Sequence, residues 1–247
     1  MGADLDPATP RYSVVVPVYN EGANIAALCR RFRQLLPPGY ELVVVYDFDE
    51  DDTLPRLAAL AADERPETVR LVKNEERGVR NAIVRGLEAA AGPVVFVAMA
   101  DLSDDLERAE DMLTLAEGGA AVVCASRYMR GGRQYGGPLL KKTLSRLAGV
   151  SLHAFAGLPT HDPTNSFKAY RKDFLASTVV ESRAGFSLAL ELTVKAHFAG
   201  HRIAEVPARW WHRTSGKSRF RVLHWMPEYW RWYAWAFKRR LAARRTA

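Results

Sequence analysis

Short hydrophobic runs rich in β-branched residues alternate along this chain with segments that have helical spacing. The hydrophobic runs lie at residues 12–18, 41–46, 69–73, 93–99 and 120–126. The helical segments between them lie at 22–36, 53–62, 77–91 and 106–117. This alternation predicts an α/β fold in which a mainly parallel sheet is flanked by helices.

The pattern is looser after Arg127. A Gly-rich loop leads to a helical stretch at 139–156, a polar loop at 160–171, a helix near 187–198 and a short strand within 202–210. We expect three parts along the chain. These are a flexible N-terminus at 1–11, one α/β domain at 12–220 and an amphipathic, basic and aromatic C-terminal helix at 221–247.

Positive charge narrows the choice of partners. The chain has 247 residues, a formal net charge of +7 and a pI near 9.5, which favours anionic partners such as nucleotide phosphates, nucleic acid or an acidic membrane surface. Cys29 and Cys124 are far apart in the sequence, and we expect both to be packing residues in a reducing, cytoplasmic compartment. We expect no secretory signal and no membrane span, because no segment reaches roughly 18 unbroken apolar residues.

Polar residues follow the first, second and fourth hydrophobic runs. In parallel sheets, ligands bind beyond the carboxyl ends of the strands, where loops and helix N-termini converge. Pro17 and Tyr19 are therefore expected to form a wall for a nucleoside, with Glu21 beside them. Asp47 directly follows the second run and could accept hydrogen bonds from a base or a ribose. The other acids of that loop are expected at the surface or at a helix cap, namely Asp49, Glu50, Asp51 and Asp52.

Asp101 has the clearest chemical role. A carboxylate just after a buried strand can bind Mg²⁺ or Mn²⁺, which prefer hard oxygen ligands and are commonly held by one or two carboxylates and substrate phosphates. Ser103 is close enough in sequence to contribute to the same metal site. Helix capping before Leu106 is the simpler alternative, and it suits Ser103 and Asp104 better than Asp101.

Five segments, in this order, resemble the motifs of family 2 glycosyltransferases: "VVVPVYNEGANI", "ELVVVYDFDEDDT", "RGVRNAIVRGLEAAAGPVVFVAMADLSDD", "ASRYMRGG" and "DPTNSFKAYRKDFL". Within that family the chain is most similar to dolichyl- or polyprenyl-phosphate mannose and glucose synthases. The resemblance implies the GT-A nucleotide-diphospho-sugar transferase fold. It also implies Mg²⁺ or Mn²⁺ as cofactor and inverting transfer of a hexose from a nucleoside-diphosphate sugar to a polyprenyl phosphate.

The resemblance assigns further residues to the donor side. The family usually has Asp-x-Asp after the fourth strand, where this chain has Met99, Ala100 and Asp101, so Asp101 matches the metal-binding carboxylate. Near the C-terminus, Arg213 and Ser218 match a loop that closes over the donor diphosphate in the family, and Arg219 replaces the lysine of that loop. The resemblance thus implies that the nucleotide sugar is bound by Met99, Ala100, Asp101, Arg213, Ser218 and Arg219. It also implies that Arg213 stabilises the leaving group.

On the acceptor side, Arg127 and Arg133 match basic positions that hold an acceptor phosphate in the family. Asp162 matches an acid of the same region. A phosphate is already ionised near pH 7, so a general base is not required, and Asp162 could instead orient Arg127 or the acceptor.

Two other functions stay open from the sequence. One is transfer to a soluble acceptor, for which Asp162 would be the first candidate as general base. The other is a nucleotide-binding protein of this fold that has lost catalysis. Nucleic-acid binding is not expected, because acidic strand ends would repel a phosphate backbone.

The C-terminal segment 222–245 is expected to be one helix with a broad apolar face. Trp and Tyr on one side with Lys and Arg on the other are typical of a helix that lies in a membrane surface, which would make the protein peripheral on the inner face of an anionic membrane. The equal alternative is that this face packs on the domain or forms a homodimer. The face comprises Val222, Leu223, Trp225, Met226, Tyr229, Trp230, Trp232, Tyr233, Ala236 and Phe237.

Overall fold

A seven-stranded sheet forms the centre of the molecule in the computed structural model, which describes residues 9–183, 185–212 and 222–245. The strands are β1 (Tyr12–Pro17), β2 (Tyr40–Tyr46), β3 (Thr68–Lys73), β4 (Val94–Val97), β5 (Val122–Ser126), β6 (Arg133–Tyr135), β7 (Lys168–Arg171), β8 (Ile203–Pro207) and β9 (Arg209–Trp211). The sheet order is β3-β2-β1-β4-β7-β5-β8, and β6 and β9 form a separate two-stranded sheet. Within the larger sheet, β7 runs antiparallel to both neighbours.

Helices cover both faces of this sheet. They are α1 (Ile25–Leu35), α2 (Thr53–Ala58), α3 (Val79–Ala89), α4 (Ala109–Glu117), α5 (Leu139–Ser151), α6 (Lys172–Ala176), α7 (Ser187–Phe198) and α8 (Val222–Arg245). A 3-10 turn (Leu106–Arg108) precedes α4, and a π-helical turn (Leu152–Ala156) continues α5. One face of the sheet packs on α1 and α4 and the other on α3 and α7, because alternate strand residues point to opposite faces. The expected sheet flanked by helices is confirmed.

The polar segment 160–171 is not only a loop, as expected, but ends in the buried strand β7. Lys168 is polar in the sequence, yet its side chain is fully buried in the middle of the sheet. Its ammonium group donates hydrogen bonds to the carbonyl oxygens of Asp162 and Asn165, so the buried donor is satisfied. A charged residue therefore occupies a core position because the preceding loop supplies its acceptors.

The C-terminal helix α8 packs on the α/β domain through much of its broad apolar face, which is one of the two alternatives that the sequence left open. Trp232 and Ala236 are buried against Leu190 and Val194 of α7 and against the π-helical turn. The indole nitrogen of Trp232 donates to the Ser182 hydroxyl at 2.8 Å. Within the described ranges, no helix has an apolar stretch of the length that a bilayer crossing requires.

Trp230 and Trp232 lie two residues apart on α8 and therefore face different sides of the helix. They differ in burial, and this predicts different effects on stability. Trp232 is 1% exposed and Trp230 is 65% exposed. We expect Trp232→Ala to lower the free energy of unfolding by about 3 to 5 kcal/mol, because it leaves a cavity and an unpaired Ser182 hydroxyl. Trp230→Ala is the matched control and should change it by less than about 0.5 kcal/mol. Urea denaturation measures both, and equal midpoints would contradict the packing of α8.

Candidate active site

A cavity of about 730 Å³ lies beyond the carboxyl ends of β1, β2 and β4. Its wall combines residues from the strand exits, from α5, from the loop before β7 and from α8. Most of the residues that the sequence assigned to a site lie on it: Pro17, Tyr19, Glu21, Asp47, Met99, Ala100, Asp101, Ser103 and Arg127. Arg213, Ser218 and Arg219 lie outside the described residues, so their assignment to the donor diphosphate stays a prediction.

Asp47 lines the cavity at the exit of β2 and holds a neighbouring segment in place. Its two carboxylate oxygens accept hydrogen bonds from the Asn74 side chain at 2.7 Å and from the backbone of Gly78 at 3.0 Å. These bonds hold the segment after β3 against the exit of β2. Tyr19 packs edge-on against Phe48, with 5.0 Å between the ring centroids, and its ring is 40% exposed at the cavity. An aromatic surface and a carboxylate thus lie at the same end of the cavity.

The acidic loop after β2 has a larger structural role than the sequence suggested. Asp51 was expected at the surface or at a cap but is fully buried. Its two oxygens accept hydrogen bonds from the backbone of Asn20 at 3.0 Å and of Thr53 at 2.9 Å. Asp52 accepts a further bond from the backbone of Gly22 at 2.8 Å. Asp51 therefore joins the start of α2 to the β1–α1 loop that carries Tyr19 and Glu21, and Asp52 holds the same loop.

Asp101 lies in a tight turn that follows β4. Its Oδ1 accepts a hydrogen bond from the backbone of Ser103 at 3.2 Å, and Leu102 between them has a left-handed φ of 63°. Asp104 is not an exposed cap, because it is buried under the turn and accepts a bond from the Met99 backbone at 2.7 Å. Burial, reinforced by the nearby charge of Asp101, raises the pKa of the Asp104 carboxyl to about 7.

The donor set at this turn fits a hard divalent cation that shares its ligands with a substrate. Among the described residues, no cluster of three or more His, Cys, Asp or Glu side chains could hold a metal by itself. Asp101 and Ser103 both line the cavity, so they present a carboxylate and a hydroxyl to it. Mg²⁺ and Mn²⁺ are commonly bound by one or two carboxylates completed by substrate phosphate and water. The residues therefore fit a metal that binds together with a nucleoside diphosphate.

Arg127 and Asp162 form a buried ion pair, and Arg127 lines the part of the cavity next to α5. The Nε and Nη2 atoms of Arg127 donate to the two carboxylate oxygens of Asp162 at 2.6 and 2.9 Å, and its backbone N–H donates to the same carboxylate at 3.0 Å. Although burial opposes the charged form, the Arg127 guanidinium holds the pKa of Asp162 below its usual range. Asp162 is thus ionised and bound to Arg127, which is the geometry of an orienting residue.

Two lysines of α5 lie near this pair. Lys141 and Lys142 both line the cavity, as do the hydroxyl-bearing residues Ser145 and Thr164, which contact Arg127. Burial, together with the positive charge of Arg127, lowers the pKa of Lys141 to about 8. This end of the cavity is therefore cationic and rich in hydrogen-bond donors.

Two described candidates do not line the cavity: Asp162 lies behind Arg127, and Arg133 is not brought to the cavity at all. Arg133 lies on β6, where alternate side chains point to opposite sides, so Gln134 lines the cavity while Arg133 is exposed on the outside. Lys141 and Lys142, which the sequence analysis did not select, occupy the cationic end instead. Their signal was present in the sequence as two adjacent lysines in the first turn of the helix that follows the Gly-rich loop.

The C-terminal helix also contributes to the site, which the sequence did not predict. Trp225, Met226 and Tyr229 line the cavity beside Trp210 of β9 and Phe186. The rings of Phe186 and Trp225 meet edge to face at 5.7 Å between centroids. Much of the cavity wall on this side is consequently apolar and aromatic.

A match to a known family accompanies this geometry. Residues 13–178 match the model described as glycosyl transferase family 2, so the chain belongs to that family. Its solved structural neighbours have the GT-A fold, and this fold is shared by the chain. One is glucosyl-3-phosphoglycerate synthase from Mycobacterium tuberculosis in complex with Mn²⁺, UDP and glucosyl-3-phosphoglycerate, with a TM-score of 0.62 at 19% identity over 92% of this chain and 78% of that chain.

Curated relatives are more similar in sequence. A dolichol-phosphate mannosyltransferase from Pyrococcus furiosus is 29% identical over 85% of this chain, and a polyprenol monophosphomannose synthase from Mycolicibacterium smegmatis is 30% identical over 88% of it. The matched region spans 59% of the length of the first relative and 85% of the second. The chain is thus a family 2 glycosyltransferase close to enzymes named for polyprenol-phosphate sugars.

The buried pair of Arg127 and Asp162 predicts that the folded protein loses stability in acid. Because the pKa of Asp162 is lowered in the folded state, its contribution is complete above the unfolded value of 3.8 and is lost as the pH falls through the folded value. Asp162→Asn leaves Arg127 buried without a counter-charge, which we expect to cost about 3 kcal/mol at pH 7. Denaturation at a series of pH values should show a smaller loss of stability on acidification in this variant. Asp63→Asn, at an exposed site, is the control; parallel pH profiles for Asp162→Asn and wild type would contradict the assignment.

Proposed function

We propose that this protein transfers a hexose from a nucleoside-diphosphate sugar to a polyprenyl phosphate, with inversion at the anomeric carbon. The observation that carries the proposal is one cavity lined by two chemically different sets of side chains. Asp47, Asp101 and Ser103 form the acidic set, which we call the donor end, and Arg127 and Lys141 form the basic set, which we call the acceptor end. The acidic, metal-competent set suits a nucleoside diphosphate, whereas the basic set suits a second phosphate.

At the donor end, the chain positions the nucleotide sugar. The Tyr19 ring offers a surface for the base, and Asp47 can accept hydrogen bonds from base or ribose while it holds Gly78 in place. Asp101 and Ser103 would hold Mg²⁺ or Mn²⁺, which when bound neutralises charge on the diphosphate. Arg213 and Arg219 are assigned to the leaving diphosphate by resemblance.

At the acceptor end, Arg127 and Lys141 would hold the phosphate monoester. The Arg127 guanidinium is fixed by Asp162, so its position costs little ordering when the acceptor binds. Ser145 and Thr164 add further donors at this end, and their hydroxyls are 2.7 Å apart. Asp162 therefore acts on the acceptor through Arg127, and general-base catalysis is not needed.

The transfer is a single displacement. An ionised oxygen of the acceptor phosphate attacks the anomeric carbon and forms the new C–O bond. The bond from that carbon to the diphosphate oxygen breaks, and its electron pair leaves with the nucleoside diphosphate. No proton has to be removed, because the attacking phosphate is already ionised near pH 7. One displacement gives one inversion.

The apolar wall formed by Trp225, Met226 and Tyr229 favours a lipid-linked acceptor over a soluble one. A screen of nucleotide sugars against a short-chain polyprenyl phosphate, with and without Mn²⁺, tests this choice, and NMR of the product gives the anomeric configuration. Transfer only to soluble phosphorylated acceptors would support the second function. Tight nucleotide binding without any transfer would support a protein that has lost catalysis.

Both described cysteines are free and buried, which agrees with the proposed cytoplasmic location.

Asp101→Asn is expected to reduce turnover at least about a hundredfold, because an amide lacks the charge that a metal ligand supplies. The fold should be unchanged, since the Asp101 side chain is only half-buried in its turn. Asp49→Asn is the matched control, because Asp49 is an exposed acid at the exit of β2 that does not line the cavity. Steady-state turnover at saturating Mn²⁺ measures the effect, and normal activity of Asp101→Asn would remove the metal assignment.

The lowered pKa of Lys141 predicts that the enzyme uses its acceptor less efficiently at alkaline pH. Because its pKa is lowered to about 8, its charge is present below that pH and is lost above it. We expect kcat/KM for the acceptor, which reports the free enzyme, to fall above about pH 8. In Lys141→Arg the fall should move to higher pH, because a guanidinium stays charged. Lys141→Met should have low kcat/KM at every pH. An unchanged pH profile in Lys141→Arg would show that another group titrates.

A further inference from the structure

Helix α5 has an outward apolar stripe that no other described part of the chain covers. Leu139, Leu140, Leu147, Val150 and Phe155 are between 42% and 79% exposed. The first four lie on α5 and Phe155 lies on the π-helical turn that continues it. Large apolar side chains that are exposed together along one helix usually mark a binding surface.

The stripe continues onto α8. The Ser151 hydroxyl, at the end of α5, lies 2.9 Å from the phenolic oxygen of Tyr233. Tyr233 in turn stacks on Trp230 with 5.5 Å between ring centroids, and Trp230 is exposed. The guanidinium of Arg240 lies close to Gly157, just after the π-helical turn. The outer sides of α5, the π-helical turn and α8 therefore form one surface, which we call the α5/α8 face.

The helices that form this surface are basic. Residues 139–156 contain Lys141, Lys142 and Arg146 and no Asp or Glu, and α8 from Tyr229 to Arg245 contains six Lys or Arg and no Asp or Glu. Although Lys141 lines the cavity and Arg231 pairs with Glu181 and Glu228, the side chains of Arg146, Lys238, Arg239 and Arg244 are exposed. A second copy of the chain would bring these like charges together, which disfavours a symmetric dimer through this face. Anionic lipid headgroups would instead complement it.

The same helix links the α5/α8 face to the cavity. Lys141, Leu144, Ser145 and Ala148 line the cavity, while Leu140 and Leu147 point to the outside. A surface bound by the outer side of α5 would therefore lie next to the cationic end of the cavity. An acceptor phosphate at headgroup level could reach Arg127 and Lys141 without leaving the bilayer surface.

We propose that the α5/α8 face docks on the surface of a bilayer that contains anionic lipids. The aliphatic side chains and Trp230 insert among the headgroups and upper acyl chains, and the lysines and arginines contact anionic headgroups. This inference rests on the proposed function, because docking would serve to present a lipid-linked phosphate to the cavity. It differs from the expectation for 222–245, because α5 supplies most of the apolar contact while α8 uses Trp232 and Ala236 within the fold.

Co-sedimentation of the full chain with vesicles tests the proposal. Wild-type protein should bind vesicles of mixed phosphatidylcholine and phosphatidylglycerol, bind pure phosphatidylcholine at least tenfold more weakly, and dissociate as salt is raised. A triple variant, Leu139→Ser, Leu147→Ser and Phe155→Ser, should lose at least tenfold in partitioning. Leu71→Ser is the matched control, because Leu71 is 53% exposed on the edge strand β3, and it should bind like wild type.

The outcomes separate docking from catalysis. Far-UV circular dichroism and thermal melting check that the triple variant is folded, and its turnover with a short-chain polyprenyl phosphate in solution should equal that of wild type. Equal vesicle binding by the folded triple variant, or none by wild type, would overturn docking. A dimer in sedimentation equilibrium that the triple variant loses would overturn it in favour of a second copy. Vesicle binding by wild type without sugar transfer would instead remove the proposed function and leave docking intact.

Discussion

The ion pair between Arg127 and Asp162 connects the elements on which the acceptor end of the cavity depends. Arg127 follows β5, Asp162 lies in the loop before β7, and Ser145 of α5 accepts a hydrogen bond from the same guanidinium. A buried charge pair is costly to form unless its remaining donors and acceptors are satisfied. Here the backbone of Arg127 and the Thr164 hydroxyl satisfy Asp162 further. Removing either partner would therefore disturb three segments at once.

Much of the fold could be predicted because the hydrophobic periods are clear. The strands β1 to β5 and the helices between them lie close to the predicted segments, since each contributes an unbroken apolar run or a helical face. β7 could not be predicted in this way, because Lys168 is polar in the sequence and buried only through acceptors that the folded loop provides. The packing of α8 is a similar case, since an aromatic face suits a protein core and a membrane surface equally well.

The candidate site was predictable where a residue lies close after a buried strand. Asp47 and Arg127 come directly after β2 and β5, Asp101 lies in the turn after β4, and all three line the cavity. Lys141 and Tyr229 do not follow a strand, and their positions depend on how α5 and α8 pack against the domain. Asp51 is a counterexample. It also lies in the loop after β2, but its carboxylate oxygens bind backbone groups of the neighbouring loop and of the start of α2. Sequence position alone cannot separate a ligand-binding acid from one that supports it.

The reversed direction of β7 has a consequence for how the two halves of the site can vary. A parallel strand delivers the loop that follows it to the carboxyl edge of the sheet, whereas β7 delivers the loop that precedes it, which contains Asp162 and Asn165. Among the described residues, the side chains proposed for the donor thus lie before residue 106 and those proposed for the acceptor lie after residue 126. The two specificities are separable modules on a common sheet, so exchanging the segment from Arg127 to Ser166 between related chains is a direct route to altered acceptor choice with an unaltered donor.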